Sequence, residues 1–219
     1  MTIIKDARTN EVSSAHSIGP FDEGKEQLEG QGYRIISLEE NAGLRMIFGM
    51  ASEICKTGNW VKEGAIYLPD KRIFITKKSP IITNSKDAAN CHRELRDFYL
   101  THEQVEQALE DAVEVSNLMN GKLAIPTNRF SEEEITNYAF GKIAGEYGKF
   151  LENCSTYKLL KDNIIMPVWF GNSNNRPFAR QGWFHRINGK QSDLCFDDKC
   201  LHGAYGRTRG IKNLRSKSK

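Results

Sequence analysis

Long apolar runs are missing from this 219-residue chain, and no stretch approaches the ~20 residues a membrane-spanning helix needs. Met1, Ile3 and Ile4 are followed by charges rather than by the apolar core of a secretory signal, which leads to an expected location in the cytoplasm. Cysteine is scarce: the five residues Cys55, Cys91, Cys154, Cys195 and Cys200 are too few and too scattered for a disulfide scaffold, and an odd number cannot pair completely. There is no glycine-rich phosphate loop, no Lys-Ser/Thr pair after one, and no Gly-x-Gly-x-x-Gly. Pro69-Asp70 is not followed at close range by the Asp/Glu-x-Lys of a metal-dependent nuclease. Nor is there an internal repeat or a long low-complexity segment.

What is present is the composition of a globular protein, 39% hydrophobic and 27% charged. The charge is segregated. Between residues 171 and 219, eleven basic residues face three acidic ones, a net of +8; with totals of 31 and 28, residues 1–170 hold 20 against 25, a net of −5. Segregation of this kind points to an anionic partner more strongly than the small total does.

Local patterns give an α+β fold: a mixed N-terminal α/β portion, a three-helix middle, and a β-rich, basic C-terminal portion with a mobile tail. The expected organisation is a polar segment at 1–32, one α+β domain at 33–202 and a basic tail at 203–219. Within the domain, the helical middle spans about 86–153 and a hairpin region about 164–196. In the first portion a short strand is expected at Thr2–Lys5 and a weak helix at Phe21–Gln31. Tyr33–Ser37 is β-rich, and Ser37 with Glu40 has the spacing of a capping box opening a helix that runs to Gly58. Ala65–Leu68 and Arg72–Thr76 flank Pro69-Asp70-Lys71 as a hairpin. Pro80–Thr83 reads as a further strand or an extended link.

In the middle, Ala88, Cys91, Leu95 and Phe98 form one helical stripe, and Val105, Ala108, Leu109, Ala112, Val115 and Met119 form another behind a Thr101/Gln104 box, with Asn120-Gly121 as its stop. A third helix opens at Ser131 and contains Gly141, Gly145 and Gly148, a row of small residues suited to close approach by another helix or a second copy of the chain. Ile164–Phe170 and Phe178–Ile187 read as strands, with Asn188-Gly189 as the turn to a return strand at Ser192–Phe196.

The basic quarter supplies the functional candidates. Arg176, Arg180, Trp183, Phe184 and Arg186, with Arg207 and Arg209 in the tail, mix guanidinium groups with flat rings. Cations neutralise phosphates and rings stack on unpaired bases, so this mixture is expected to bind RNA or DNA. His185, Cys195, Cys200 and His202 have the donor types that zinc prefers, and a zinc ion there would staple the hairpin, although the usual Cys-x2-Cys spacing is absent. A second reading is an enzyme with a pocket for an anionic or phosphate-bearing ligand, built from His92, Arg96, Asn172, Asn174, Arg176, Arg180 and His185. A third is an oligomeric scaffold joined through the Gly141, Gly145, Gly148 face. Cys91-His92 is not read as a catalytic pair, because neighbours on a helix diverge by about 100°.

Overall fold

The computed structural model describes residues 3–154, 165–187, 193–197 and 201–214. The chain begins with a hairpin, β1 (Ile3–Arg8) and β2 (Val12–Ile18), followed by helix α1 (Phe21–Gly30) and the short β3 (Arg34–Ile35). Helices α2 (Leu38–Phe48) and α3 (Glu53–Lys56) lead into the long β4 (Asn59–Tyr67) and β5 (Ile73–Thr76). The middle contains α4 (Pro80–Thr83), α5 (Ser85–Arg93), β6 (Phe98–Tyr99), α6 (His102–Leu109), β7 (Ala112–Glu114) and β8 (Lys122–Pro126). A 3-10 turn at Thr127–Arg129 precedes α7 (Glu134–Phe140) and α8 (Ala144–Cys154). The chain closes with β9 (Ile165–Trp169), β10 (Phe178–Phe184), β11 (Leu194–Cys195) and β12 (Arg207–Asn213). This is an α+β fold, as the sequence patterns indicate.

All twelve strands belong to one mixed sheet, whose main path runs β1-β2-β12-β4-β10-β11-β9-β8. The β12/β4 and β11/β9 contacts are parallel, and the other pairings are antiparallel. β4 is the centre of the sheet, in contact with β5, β10 and β12. Its residues alternate between two cores: Val61, Ala65 and Tyr67 pack with the side chains of α2, α7 and α8, whereas Trp60, Ile66 and Leu68 pack with Phe21, Ile81 and Ala88 from α1, α4 and α5. Covered on both sides, the strand is buried at every residue except Lys62.

Several local patterns produce the elements they announce. Ser37 accepts from the Glu40 N–H while the Glu40 carboxylate accepts from the Ser37 N–H; Thr101 and Gln104 reciprocate in the same way. The β4/β5 turn closes by Leu68 N–H to Arg72 O at 2.9 Å, with Lys71 at φ 70°. β9 and β10 also lie where expected.

Other expectations are corrected. The helix opened by Ser37 stops at Gly49, in a left-handed conformation at φ 69°, and α3 is a separate short helix. Pro80–Thr83 is a single helical turn, not a strand. The three-helix middle is instead broken by β6, β7 and β8: Leu95 is exposed at φ 57°, and Phe98 lies in a strand. The third helix divides at Gly141, φ 55°. The glycine row meets another helix, α2, only at Gly141. A Cβ on Gly141 would run into the Glu39 carboxylate, one on Gly145 would touch Ser131, and one on Gly148 would overlap the Thr127 carbonyl. This face is covered by the chain's own segments, so it gives no support to an oligomer contact. Gly148→Ala is expected to force α8 off the 3-10 turn and destabilise the protein by about 1–3 kcal/mol, read as a lower Tm. Gly30→Ala, with open space around the glycine, provides the control.

The largest correction is at the end of the chain. Residues expected to form a mobile basic tail include β12, which pairs with β2 in seven consecutive registers from Arg207↔Ile18 to Asn213↔Val12. Arg209 is wholly buried. Its Nε donates to Asp6 Oδ2 at 2.8 Å, and its two terminal nitrogens donate to Asn59 Oδ1 at 2.6 Å and Thr57 Oγ1 at 3.2 Å. Asp6 also bonds His16 Nδ1. It stands at a β-bulge, where the register passes from Lys5↔Ala15 to Ala7↔Ser14. Such an irregularity re-aims a side chain, here into the arginine.

Candidate recognition face

Strands β8, β9, β11 and β10 form the other half of the sheet, and their two sides differ sharply. On the inner side, Val168, Leu194 and Phe184 are buried in the core. On the outer side, Lys122, Trp169, Cys195 and Trp183 lie in one cross-strand row, paired Lys122↔Trp169, Trp169↔Cys195 and Cys195↔Trp183. Strand alternation places them together on that side, because residues facing one another across a ladder share a face. Trp169 is 39% exposed, a large apolar group left at the surface. The Lys122 Nζ sits 4.9 Å from its ring centroid. One step along the ladder, the His185 N–H donates to the Asp193 carbonyl at 2.9 Å, and the His185 and Trp183 rings are 6.2 Å apart, edge to face. Burial raises the Asp193 carboxyl above its ordinary range, against the opposing charges of His185 and Lys122 and a hydrogen bond with Trp169. The row thus combines two indoles, a thiol, an imidazole, a carboxyl and an ammonium group.

The frame behind this row is rigidly held. Arg45 of α2 is fully buried, with its guanidinium 3.8 Å from the Phe184 ring centroid. One of its nitrogens donates to the His185 carbonyl at 2.7 Å and another to Tyr147 Oη at 3.2 Å. Trp183 packs edge-on to Trp60, 4.8 Å between centroids, and over Gly58, where a Cβ would collide with the indole. Gly58 therefore seats the tryptophan; it does not merely end a helix.

The positions expected to bind nucleic acid do not form a basic platform. Arg180 is buried and bonded to Asp97, Phe184 is in the core, and Arg209 is the buried partner of Asp6. Arg207 lies 3.7 Å from Glu53. Arg176 is exposed but stacked on Tyr99, 4.4 Å from the ring centroid. Arg186 is exposed, and Trp183 is half-buried against Trp60. Arg180, Arg207 and Arg209 are thus met by acids far away in the sequence.

Of the proposed metal donors, Cys200 lies outside the described residues. Among those that are described, no group of three or more His, Cys, Asp or Glu is placed to hold a metal ion. The enzyme-pocket residues separate: His92 is on the buried face of α5, and Arg96 is paired with Glu94 at the surface. Asn174 does reach the Arg180 partner: its Nδ2 donates to Tyr99 Oη at 3.0 Å and to Asp97 Oδ2 at 3.3 Å. That arrangement ties the loop around Asn172 and Asn174 to β6. Sequence reasoning missed Lys122, Trp169 and Asp193. The alternation Met166-Pro167-Val168-Trp169 was a usable signal, because a buried Val168 obliges Trp169 to face the other way.

No helix among the described residues is long and apolar enough to cross a membrane. No family model matches the chain, and no curated protein matches it. One solved structure is similar, described as the accommodation of massive sequence variation in Nanoarchaeota by the C-type lectin fold. The match has a TM-score of 0.59 at 12% sequence identity and covers 92% of this chain and 97% of that one. At this identity the likeness concerns the fold, and it overturns the expectation of a nucleic-acid-binding protein. Two of the arginines that carried that expectation, Arg180 and Arg209, are internal structure.

Proposed function

We propose that this chain is a recognition module in which a C-type lectin fold serves as frame and the outer side of β8, β9, β11 and β10 contacts a protein ligand. The observation that carries this reading is the row Lys122–Trp169–Cys195–Trp183, flanked by Asp193 and His185, on a sheet whose other side is core. Tryptophan at a surface offers large apolar area at little conformational cost, and such residues dominate protein interfaces when they are desolvated. Because Lys122 and Trp169 line neither buried core, they can be exchanged without unfolding the frame, whereas Trp183 is anchored against Trp60. The similar structure's description concerns sequence variation tolerated by this same fold. The division of labour in this chain is compatible with such tolerance.

The wild-type chain, probed against arrays of folded proteins and of glycans, is expected to select a protein. Trp169→Ala is expected to weaken that binding by about 30-fold or more, the ~2 kcal/mol of an interface anchor, while leaving Tm within a few degrees. Undiminished binding by the Trp169→Ala variant, or selection of glycans alone, would sink the reading.

A further inference from the structure

Away from this face, β4 has a gap on its flank. β12 pairs with it at Trp60 and β5 from Gly64 onward, so residues between them have a different neighbour: the Lys62 N–H donates to the Ile36 carbonyl at 2.8 Å. A cavity of about 410 Å³ opens at this gap, between the end of α1, the start of α2 and the loop after β5. Glu63 is among its lining residues and is 1% exposed. Its Oε2 accepts the Leu38 N–H at the start of α2, 2.9 Å away, whereas Oε1 has no partner among the described residues. Burial lifts its carboxyl to about 7, although the Leu38 hydrogen bond and the charges of Lys62 and Lys77 pull the other way.

The charged groups around Glu63 do not cancel evenly. From β3 and α2, Arg34 is bonded to Glu40. From α1, Glu29 is bonded to Lys25. From α2, Glu39 also lines the cavity, with its carboxylate beside Gly141. From α7, Tyr138 Oη accepts from the Lys77 N–H at 2.7 Å, and the Lys77 Nζ lies 4.6 Å from its ring centroid. Lys62 and Lys77 form no ion pair among the described residues. With Glu63 protonated, the cavity keeps the Lys62 and Lys77 ammonium groups, one carboxylic acid and the Glu39 carboxylate, so positive charge still exceeds negative outside the Arg34–Glu40 and Lys25–Glu29 pairs. This set suits an oxyanion, for ammonium groups supply charge and a protonated carboxyl donates a hydrogen bond. A neighbouring cavity of about 620 Å³ shares Lys62, Lys77 and Ile82 and continues past Pro80 and Ala108 between α4 and α6. Together the two have the size and mixed lining of a small-molecule site.

We propose that this paired cavity binds a small carboxylic acid, its carboxylate held by Lys62 and Lys77 beside Glu63 and its apolar body lying along Ile82, Pro80 and Ala108. The site is independent of the recognition face. Its binding should be linked to proton uptake: above the Glu63 pKa the second carboxylate repels the ligand, and below it the acid donates.

The test uses three probes of one shape: 4-phenylbutyrate, 4-phenylbutyramide and 4-phenylbutylamine, titrated into the full chain by NMR. The carboxylate is expected to bind at least tenfold more tightly than the amide or the amine at pH 6, and to weaken about tenfold by pH 8. Glu63→Gln, which keeps a donor, is expected to retain binding and lose the pH dependence. Lys62→Ala with Lys77→Ala is expected to abolish it while the spectrum stays dispersed. A preference for the amine, carboxylate binding indifferent to the lysine pair, or absence of carboxylate binding at millimolar concentration would each overturn the proposal.

Discussion

A chain that stops at Gly206 is expected not to fold. β12 lies inside the sheet, with β2 on one side and β3 and β4 also in contact with it. It buries Thr208, Arg209, Gly210 and Ile211. Its loss would leave the β2 edge unpaired over seven residues and would strand Asp6 and His16 in the interior. A domain has only ~5–15 kcal/mol of net stability, which losses of this kind exceed. The measurement is the amide spectrum of the truncated chain. Dispersed, native-like resonances would show that the strand is dispensable, and collapsed ones are the expected result. Had residues 203–219 been a tail, the same truncation would have been silent.

Arg209→Ala should produce the largest effect of any single substitution in the sheet, a loss of about 3–5 kcal/mol, because it leaves a buried carboxylate without its cation. Burial alone would raise the Asp6 carboxyl, but the His16 hydrogen bond and the Arg209 charge outweigh it and hold the group below its ordinary 3.8. A carboxyl that titrates lower in the folded chain than in the unfolded one contributes stability above about 3.8. That contribution vanishes as pH falls through the depressed folded value. In Arg209→Ala the Asp6 pKa rises, so the acid-side decline in Tm should begin at higher pH than in the wild type. Replacing both partners, Arg209→Met with Asp6→Leu, should cost less than Arg209→Ala, since no charge remains unpaired. Thermal melts of the three variants between pH 3 and 7 decide it: equal losses in the single and double variants would mean that the pair does not govern the site.

How much of this was legible in the sequence depended on the range of the interactions. Ser37/Glu40 and Thr101/Gln104 are self-contained within four residues, and both close as boxes. Leu68–Arg72 sets its own turn. The middle was misread because its apolar spacings fit a helix and a short strand equally well: Val113 and Val115 bury their side chains from β7 and just beyond it, not from a helix. The basic quarter was misread for another reason. Arg180 and Arg209 display charge in the sequence but not the partners Asp97 and Asp6, which are 83 and 203 residues away. The bulge that turns Asp6 inward leaves no trace in residue type. Of the candidate face, Trp183 and His185 are among the sequence candidates, Lys122 was lost because 122–126 falls between the expected second and third helices and was given no element, and Trp169 lay in the expected strand Ile164–Phe170 without being singled out.

The 203-residue span between Asp6 and Arg209 also bears on how the chain reaches its fold. During synthesis β1, β2 and β4 emerge well before β12, the strand that lies between β2 and β4. Until it arrives, two strands hold open edges, the kind of surface that templates pairing with other chains. Contacts so distant in sequence also make folding slow, since a large loop must close before they form. The sheet therefore stays incomplete until β12 docks, and in that interval its open edges are exposed to aggregation.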